Sequence, residues 1–143
     1  MSAAGRQVVF RLGAERFALP LEAVREVVLP QPPFARVPRT SDAVRGVMNL
    51  RGRVIAVVDL AALVGLPAQP LDGRAGQVLV LDPQGRRALG VLIGGVVGVE
   101  ELAPPDDASP GLVRGVVSGR AGAVTLLGAE APTRQAEALF ASR

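Results

Sequence analysis

The tetrapeptide VRGV occurs twice, at 44–47 and 113–116, and this internal repeat constrains the fold more than any other feature of the chain. At the same offset of 69, Arg51 falls on Arg120 and the pair Val57, Val58 falls on Leu126, Leu127, while near an offset of 70 the segment RFALPL faces RRALGVL. Self-similarity at such a period points to a duplicated unit, here barrel-like and of about five strands, two copies of which close a shared apolar core.

Within each copy, short apolar runs are broken by turn signals. QVVFRLG (7–13) and RFALPL (16–21) read as a hairpin with Glu15 near its tip. In AVREVVLP (23–30), Val24, Val27 and Val28 are β-branched and Pro30 ends the element. QPPFARVPR (31–39) is proline-punctuated and extended, which excludes a central strand. Ser41 reads as the N-cap of one helical turn that Gly46 stops. VMNL and RVIAVVDL flank Gly52, where the chain turns and a positive φ is needed. Asp59 then caps a short helix that Gly65 ends, and 67–76 gathers Pro, Gly and polar residues as a linker. The strands resume with QVLVLD and, past a Pro-Gln-Gly turn, RALGVLI, GVVGVEEL, LVRGVV and AVTLLG. Thr133 reads as the cap of a terminal helix with Ala136, Leu139 and Phe140 at helical spacing.

With 49% apolar residues in 143, the chain can bury a real core. It reads as one domain, 5–143, in which lobe one covers 16–85, lobe two covers 86–130 together with the strand 7–13, and a helix covers 133–142. The absence of Cys and His removes thiolate nucleophiles, disulfides, the commonest general base and the commonest metal ligands. Glycine-rich phosphate loops are also missing, and the acid pairs Glu100/Glu101 and Asp106/Asp107 sit in or beside a loop as a solvated rim. The expectation is a protein that is no enzyme and needs no cofactor or metal. The N-terminus lacks the pattern of a signal peptide, and the longest uncharged run, 88–99, falls short of the roughly 18 residues of a membrane helix. A cytoplasmic protein without direct membrane insertion is expected.

Net charge is only +3, and every basic residue is Arg. A nucleic-acid-binding barrel is one rival reading, since small barrels bind strands and Arg favours phosphate. Such surfaces pair a basic groove with aromatic platforms. Here the arginines are scattered, and Phe10 and Phe17 occupy core-like strand positions.

The copies differ in their polar detail. Glu26, Asn49 and Asp59 of the first half correspond to Gly98, Ser118 and Gly128 of the second. Both halves keep the apolar pattern that a fold needs; only the first keeps the polar residues that an interaction surface needs. Arg51, beside the turn glycine, is then either a wet tip or a guanidinium held out for a partner.

FRLGAERFALPLEAVREVV, a proline-rich spacer, and VRGVMNLRGRVIAVVDLAALVGL together resemble the CheW family, the adaptors of bacterial chemosensory arrays, and the second half matches in outline. The resemblance implies an all-β, CheW-like fold of two intertwined five-stranded SH3-like β-barrels with short helices. It implies a non-catalytic adaptor that joins chemoreceptor (methyl-accepting) cytoplasmic tips to the regulatory domain of the chemotaxis histidine kinase. Other CheW-like proteins in array rings are further implied partners, nucleic acid is not, and the protein would be recruited to membrane-associated or cytoplasmic receptor arrays. By the same resemblance Arg51 and Glu26 are the main polar contacts, Val24, Gly46 and Val47 line the receptor groove or its edge, and Asn49 and Gly52 shape the loop. Gly94 and Gly128 stand where relatives commonly carry acids, which leaves open a divergent regulator that binds only receptor or only kinase.

Overall fold

Residues 5–30, 43–67, 76–82 and 88–141 are described by the structure, a computed structural model. The first repeat runs β1 (Gly5–Leu12), β2 (Glu15–Pro20), a 3-10 turn (Leu21–Ala23), β3 (Val24–Val28), β4 (Val44–Leu50), β5 (Arg53–Asp59) and helix α1 (Leu60–Leu63). The second runs β6 (Gln77–Leu81), β7 (Leu89–Ile93), β8 (Gly95–Leu102), β9 (Val113–Gly119), β10 (Gly122–Leu127) and helix α2 (Ala131–Ala141). Strand for strand, the second repeats the first.

The hydrogen bonding repeats as well. The Asp59 N–H donates to the Ala43 carbonyl at 2.8 Å, and 69 residues later the Gly128 N–H donates to the Leu112 carbonyl at 3.0 Å. Val44 and Gly46 oppose Val58 and Val57 across a bulge, as Val113 and Gly115 oppose Leu127 and Leu126. The bulge glycines take φ of 138° and 155°, a region a residue with a Cβ avoids. Val24 and Glu26 oppose Leu81 and Val80, as Val96 and Gly98 oppose Phe10 and Val9. Thus Gly98 is the structural counterpart of Glu26.

The repeats exchange strands. One five-stranded sheet is ordered β8-β1-β2-β10-β9 and the other β3-β6-β7-β5-β4, so each takes two strands from one repeat and three from the other. Pairing is antiparallel except where β2 meets β10 and β5 meets β7, the joints between repeats. This division differs from the expected lobes 16–85 and 86–130. Strand β2 belongs with β1 and the C-terminal strands, and β7 belongs with β3–β6, because the parallel joints bind each repeat's first hairpin to the other repeat's last.

Three apolar clusters follow from this arrangement. The shared interior holds Phe10, Leu12, Phe17 and Leu19 from one sheet against Leu79, Leu81, Leu89, Val91 and Ile93 from the other. Each sheet also curls around a core of its own, Met48, Ile55, Val57, Val78, Val80 and Leu92 in the first lobe and Val9, Ala18, Leu102, Val124 and Leu126 in the second. Strands β1, β6 and β7 are therefore covered on both faces, which is why VVF, VLVL and LGVLI are continuous apolar runs rather than alternating ones.

Two local expectations are corrected. Val44, Arg45 and Gly46 form the start of β4 and not a helical turn, since pairing with β5 outcompetes one turn of helix; the proposed cap, Ser41, lies outside the described residues. Helix α2 begins at Ala131, with the Arg134 N–H donating to the Glu130 carbonyl, so Thr133 sits inside the first turn. Pro132 suits that turn because its missing N–H would have no partner there. The extended segment 31–39, most of the 67–76 linker and the Pro-Gln-Gly turn lie outside the described residues. Asp59 does cap α1, its Oδ1 accepting from the Ala61 N–H at 3.1 Å.

Candidate interaction site at the mouth of the first lobe

Strands β3 and β4 are the free edges of the first-lobe sheet, and the candidate residues gather where these edges converge. Leu50 pairs with Arg53, leaving Arg51 and Gly52 as a two-residue turn. Their φ values of 51° and 87° are both positive, the requirement of the turn whose twist suits a hairpin. Arg51 is the one residue other than glycine with a positive φ among the described residues. Asn49 stabilises this turn by accepting the Gly52 N–H on its Oδ1 at 2.7 Å.

Arg51 and Glu26, both expected as polar contacts, bond to each other. The Arg51 Nη1 donates to Glu26 Oε1 at 3.0 Å, and Nη2 donates to Oε2 in a parallel bond. The carboxylate is 25% exposed and the guanidinium 67% exposed, so the fork is anchored on its acid and open on its base. Hydrogen bonding from Arg51 holds the Glu26 carboxyl below its ordinary pKa, desolvation works against this, and the charges of Arg51 and Arg25 add to it. The Arg51 guanidinium is raised in turn, first by its hydrogen bond to Glu26.

Neighbouring ion pairs hold the frame. Arg25 donates to the buried Asp82 at 2.9 Å, tying edge strand β3 to the end of β6. Arg45 lies 3.4 Å from the buried Asp59, which ties β4 to the start of α1.

The remaining candidates divide. Val24 packs against the shared interior, and the buried Gly46 forms the bulge, so both support the edge from within. Val47 is half-buried and lies on the same face of the hairpin as the exposed Asn49. Opposite Asn49 stands Val54, which is 71% exposed and was not expected. Its apolar neighbours in VIAVV conceal it in the sequence; the signal that could have exposed it is its position one residue past Arg53, too near the turn to be covered. Val27 and Leu29 on the β3 side are exposed as well. The mouth therefore offers a braced guanidinium beside scattered apolar surface. Among the described residues no cluster of acids could hold a metal ion, and no helix is long and apolar enough to cross a membrane.

Residues 6–134 match the CheW-like domain family. The chain is 30% identical over 112 residues to the probable chemotaxis protein CheW of Rhizobium etli, covering 75% of this chain and 70% of that protein. It is 36% identical over 73 residues to the protein PilI of Pseudomonas aeruginosa, covering 51% of this chain and 40% of that one. The crystal structure of the scaffolding protein TtCheW from Thermoanaerobacter tengcongensis superposes with a TM-score of 0.71 at 22% identity, over 87% of this chain and 89% of that one. With the matched span running from β1 into α2, and a fold of the same design, the chain belongs to the CheW-like domain family, the non-catalytic scaffolds of chemosensory systems.

Proposed function

We propose that this protein is an adaptor that couples the cytoplasmic tip of a chemoreceptor to the regulatory domain of a chemotaxis histidine kinase. The observation that carries the reading is the Arg51–Glu26 fork on its rigid turn. A guanidinium has five N–H groups, and two are spent on Glu26, so three stay available on a side chain that is 67% exposed. Glu26 fixes the plane in which those donors face a partner, which lowers the ordering cost of binding. A helix tip bearing a carboxylate or free carbonyls fits these donors, and its apolar residues fit Val47 and Val54.

A nucleic-acid role has less support. Arg25, Arg45 and Arg51 are each engaged by a carboxylate, and Phe10 and Phe17 are buried where no base could stack on them.

Binding of the purified protein and its Arg51→Glu variant to two separate baits, a receptor tip and a kinase regulatory domain, tests the proposal. Binding of both by the parent, with loss of at least one in a folded variant, is the expected result. Binding of a single bait identifies a regulator of receptor or kinase alone, and binding of neither overturns the adaptor reading.

A further inference from the structure

Each lobe closes the seam between its free edges at a two-residue turn that opens on an arginine: Arg51 and Gly52 between Leu50 and Arg53, Arg120 and Ala121 between Gly119 and Gly122. In the first lobe the side chain of that arginine is held by the Glu26 carboxylate. In the second, Gly98 stands in the place of Glu26, opposite the core residue Val9, and a Cβ built on it would meet no atom within 4 Å. The position that a carboxylate fills in one lobe is therefore open in the other. Glu100 does not take it over. Its Oε1 accepts the Arg120 main-chain N–H at 2.9 Å, and the Arg120 guanidinium is left without an acid among the described residues.

Positive charge gathers around this opening. Arg16, one residue before the matched pair Phe17 and Leu89, stands where the first lobe has Ala88. It is half-buried and donates from Nη1 to the Ala121 carbonyl at 2.8 Å, so it grips the turn that carries Arg120. Its Nε is buried and has no acceptor. Arg11 lies directly opposite Arg16 on β1, a like-charge pairing that costs stability unless an anion joins it. Against these three guanidiniums stands the one carboxylate of Glu100. Glu15 projects from the other face of β2, opposite Leu12, and Glu101 from the other face of β8, opposite Arg6. The mouth thus carries a surplus of positive charge that no side chain of its own balances.

We infer that the second-lobe mouth binds a small free dicarboxylate, with one carboxylate on the Arg120 guanidinium, in the place that Glu26 holds beside Arg51, and the other against Arg16 and Arg11. A guanidinium and a carboxylate meet through two parallel N–H···O bonds, the arrangement already present in the first lobe. Two negative charges match three guanidiniums less one carboxylate. A dianion seated there ties the β9–β10 turn to the β1–β2 hairpin, and so stiffens the second lobe as the Arg51–Glu26 fork stiffens the first. The first lobe refuses the same ligand because its own acid is already in place. This site takes a small molecule and goes beyond the adaptor reading, and its geometry involves neither Glu26 nor Arg51.

Titration of the full chain with succinate, followed by amide NMR at constant ionic strength and compared with sodium chloride, tests the site. Succinate should shift Gly119, Arg120 and Ala121 saturably and raise the thermal midpoint, while Arg51 and Gly52 stay unmoved. Gly98→Glu supplies the missing carboxylate from within, so it should raise the midpoint without ligand and abolish the succinate shifts. Arg120→Gln keeps the main-chain bond to Glu100, so its spectrum should stay native while succinate binding is lost. Shifts no larger than those from chloride, shifts that persist in folded Arg120→Gln or Gly98→Glu protein, or an equal response of Gly52 overturn the inference. Failure of the receptor and kinase baits overturns the adaptor reading alone, since the succinate titration uses neither.

Discussion

Arg51 and Glu26, 25 residues apart in sequence, join the two free edges of one sheet through a bidentate fork. Reversing either charge opens this clasp. The exchange Glu26→Arg with Arg51→Glu restores an ion pair but points the wrong charge outward. Hydrogen exchange near the β4–β5 turn should rise in both single variants and recover toward the parent in the double one, while partner binding stays lost in all three. Recovery of binding along with protection would show that the pair acts only as a brace.

The clasp also has a pH signature. Glu26 is held below its ordinary pKa in the folded state. Its contribution is therefore fully present above the unfolded carboxylate value near pH 4.3 and is lost as the pH falls through the lowered folded value. Both side chains are solvated, so the effect is small and shrinks with salt. An NMR titration of the Glu26 carboxyl should give a midpoint below that of an unfolded reference, and Arg51→Ala should move it back up.

Gly90 is the tightest glycine of the first-lobe core. An added Cβ would sit 2.9 Å from Val78 Cγ1 and 3.3 Å from Val57 Cγ2, both on stiff β-branched side chains. Gly90→Ala should cost about 1–3 kcal/mol in urea denaturation. The counterpart by register, Ala18, already carries its methyl group in the second-lobe core, so the same change cannot be read from the repeat alone.

Asp59 is fully buried, caps α1 through the Ala61 N–H and reaches toward Arg45. Asp59→Ala should lower stability by at least the ~1–2 kcal/mol of a lost cap, read as a fall in the thermal midpoint. Gly128 holds the corresponding place in the second repeat, before α2, and contributes no such side-chain cap.

The strand content was legible because period, β-branching and turn glycines agree along most of the chain. The duplication was legible too, through VRGV and its flanks, and so was the contrast of Glu26 with Gly98. The exchange of strands was not, because parallel joints such as Thr125 with Phe17 connect segments more than a hundred residues apart and leave no local mark. At the site, the sequence named Glu26 and Arg51 separately, and nothing in either heptapeptide around them says that they bond to each other. Val54 was hidden for a different reason, since a residue one step from a turn can be apolar and still uncovered. Thr133 failed as a cap because Pro132 starts the helix before it.

Strand exchange between the repeats sets a timetable for biosynthesis. Strands β3, β4 and β5 leave the ribosome before β6 and β7, the strands that complete their sheet, and β1 and β2 wait longer still for β8 to β10. Until β7 emerges the nascent chain carries two unfinished sheets with open edges, and the sheet begun by β1 and β2 stays unfinished until β10 follows, states prone to mispairing. A truncation between β5 and β7 consequently leaves both sheets short of strands, whereas one just past β7 leaves the first-lobe sheet its full set of five and deprives β1 and β2 of every partner but each other.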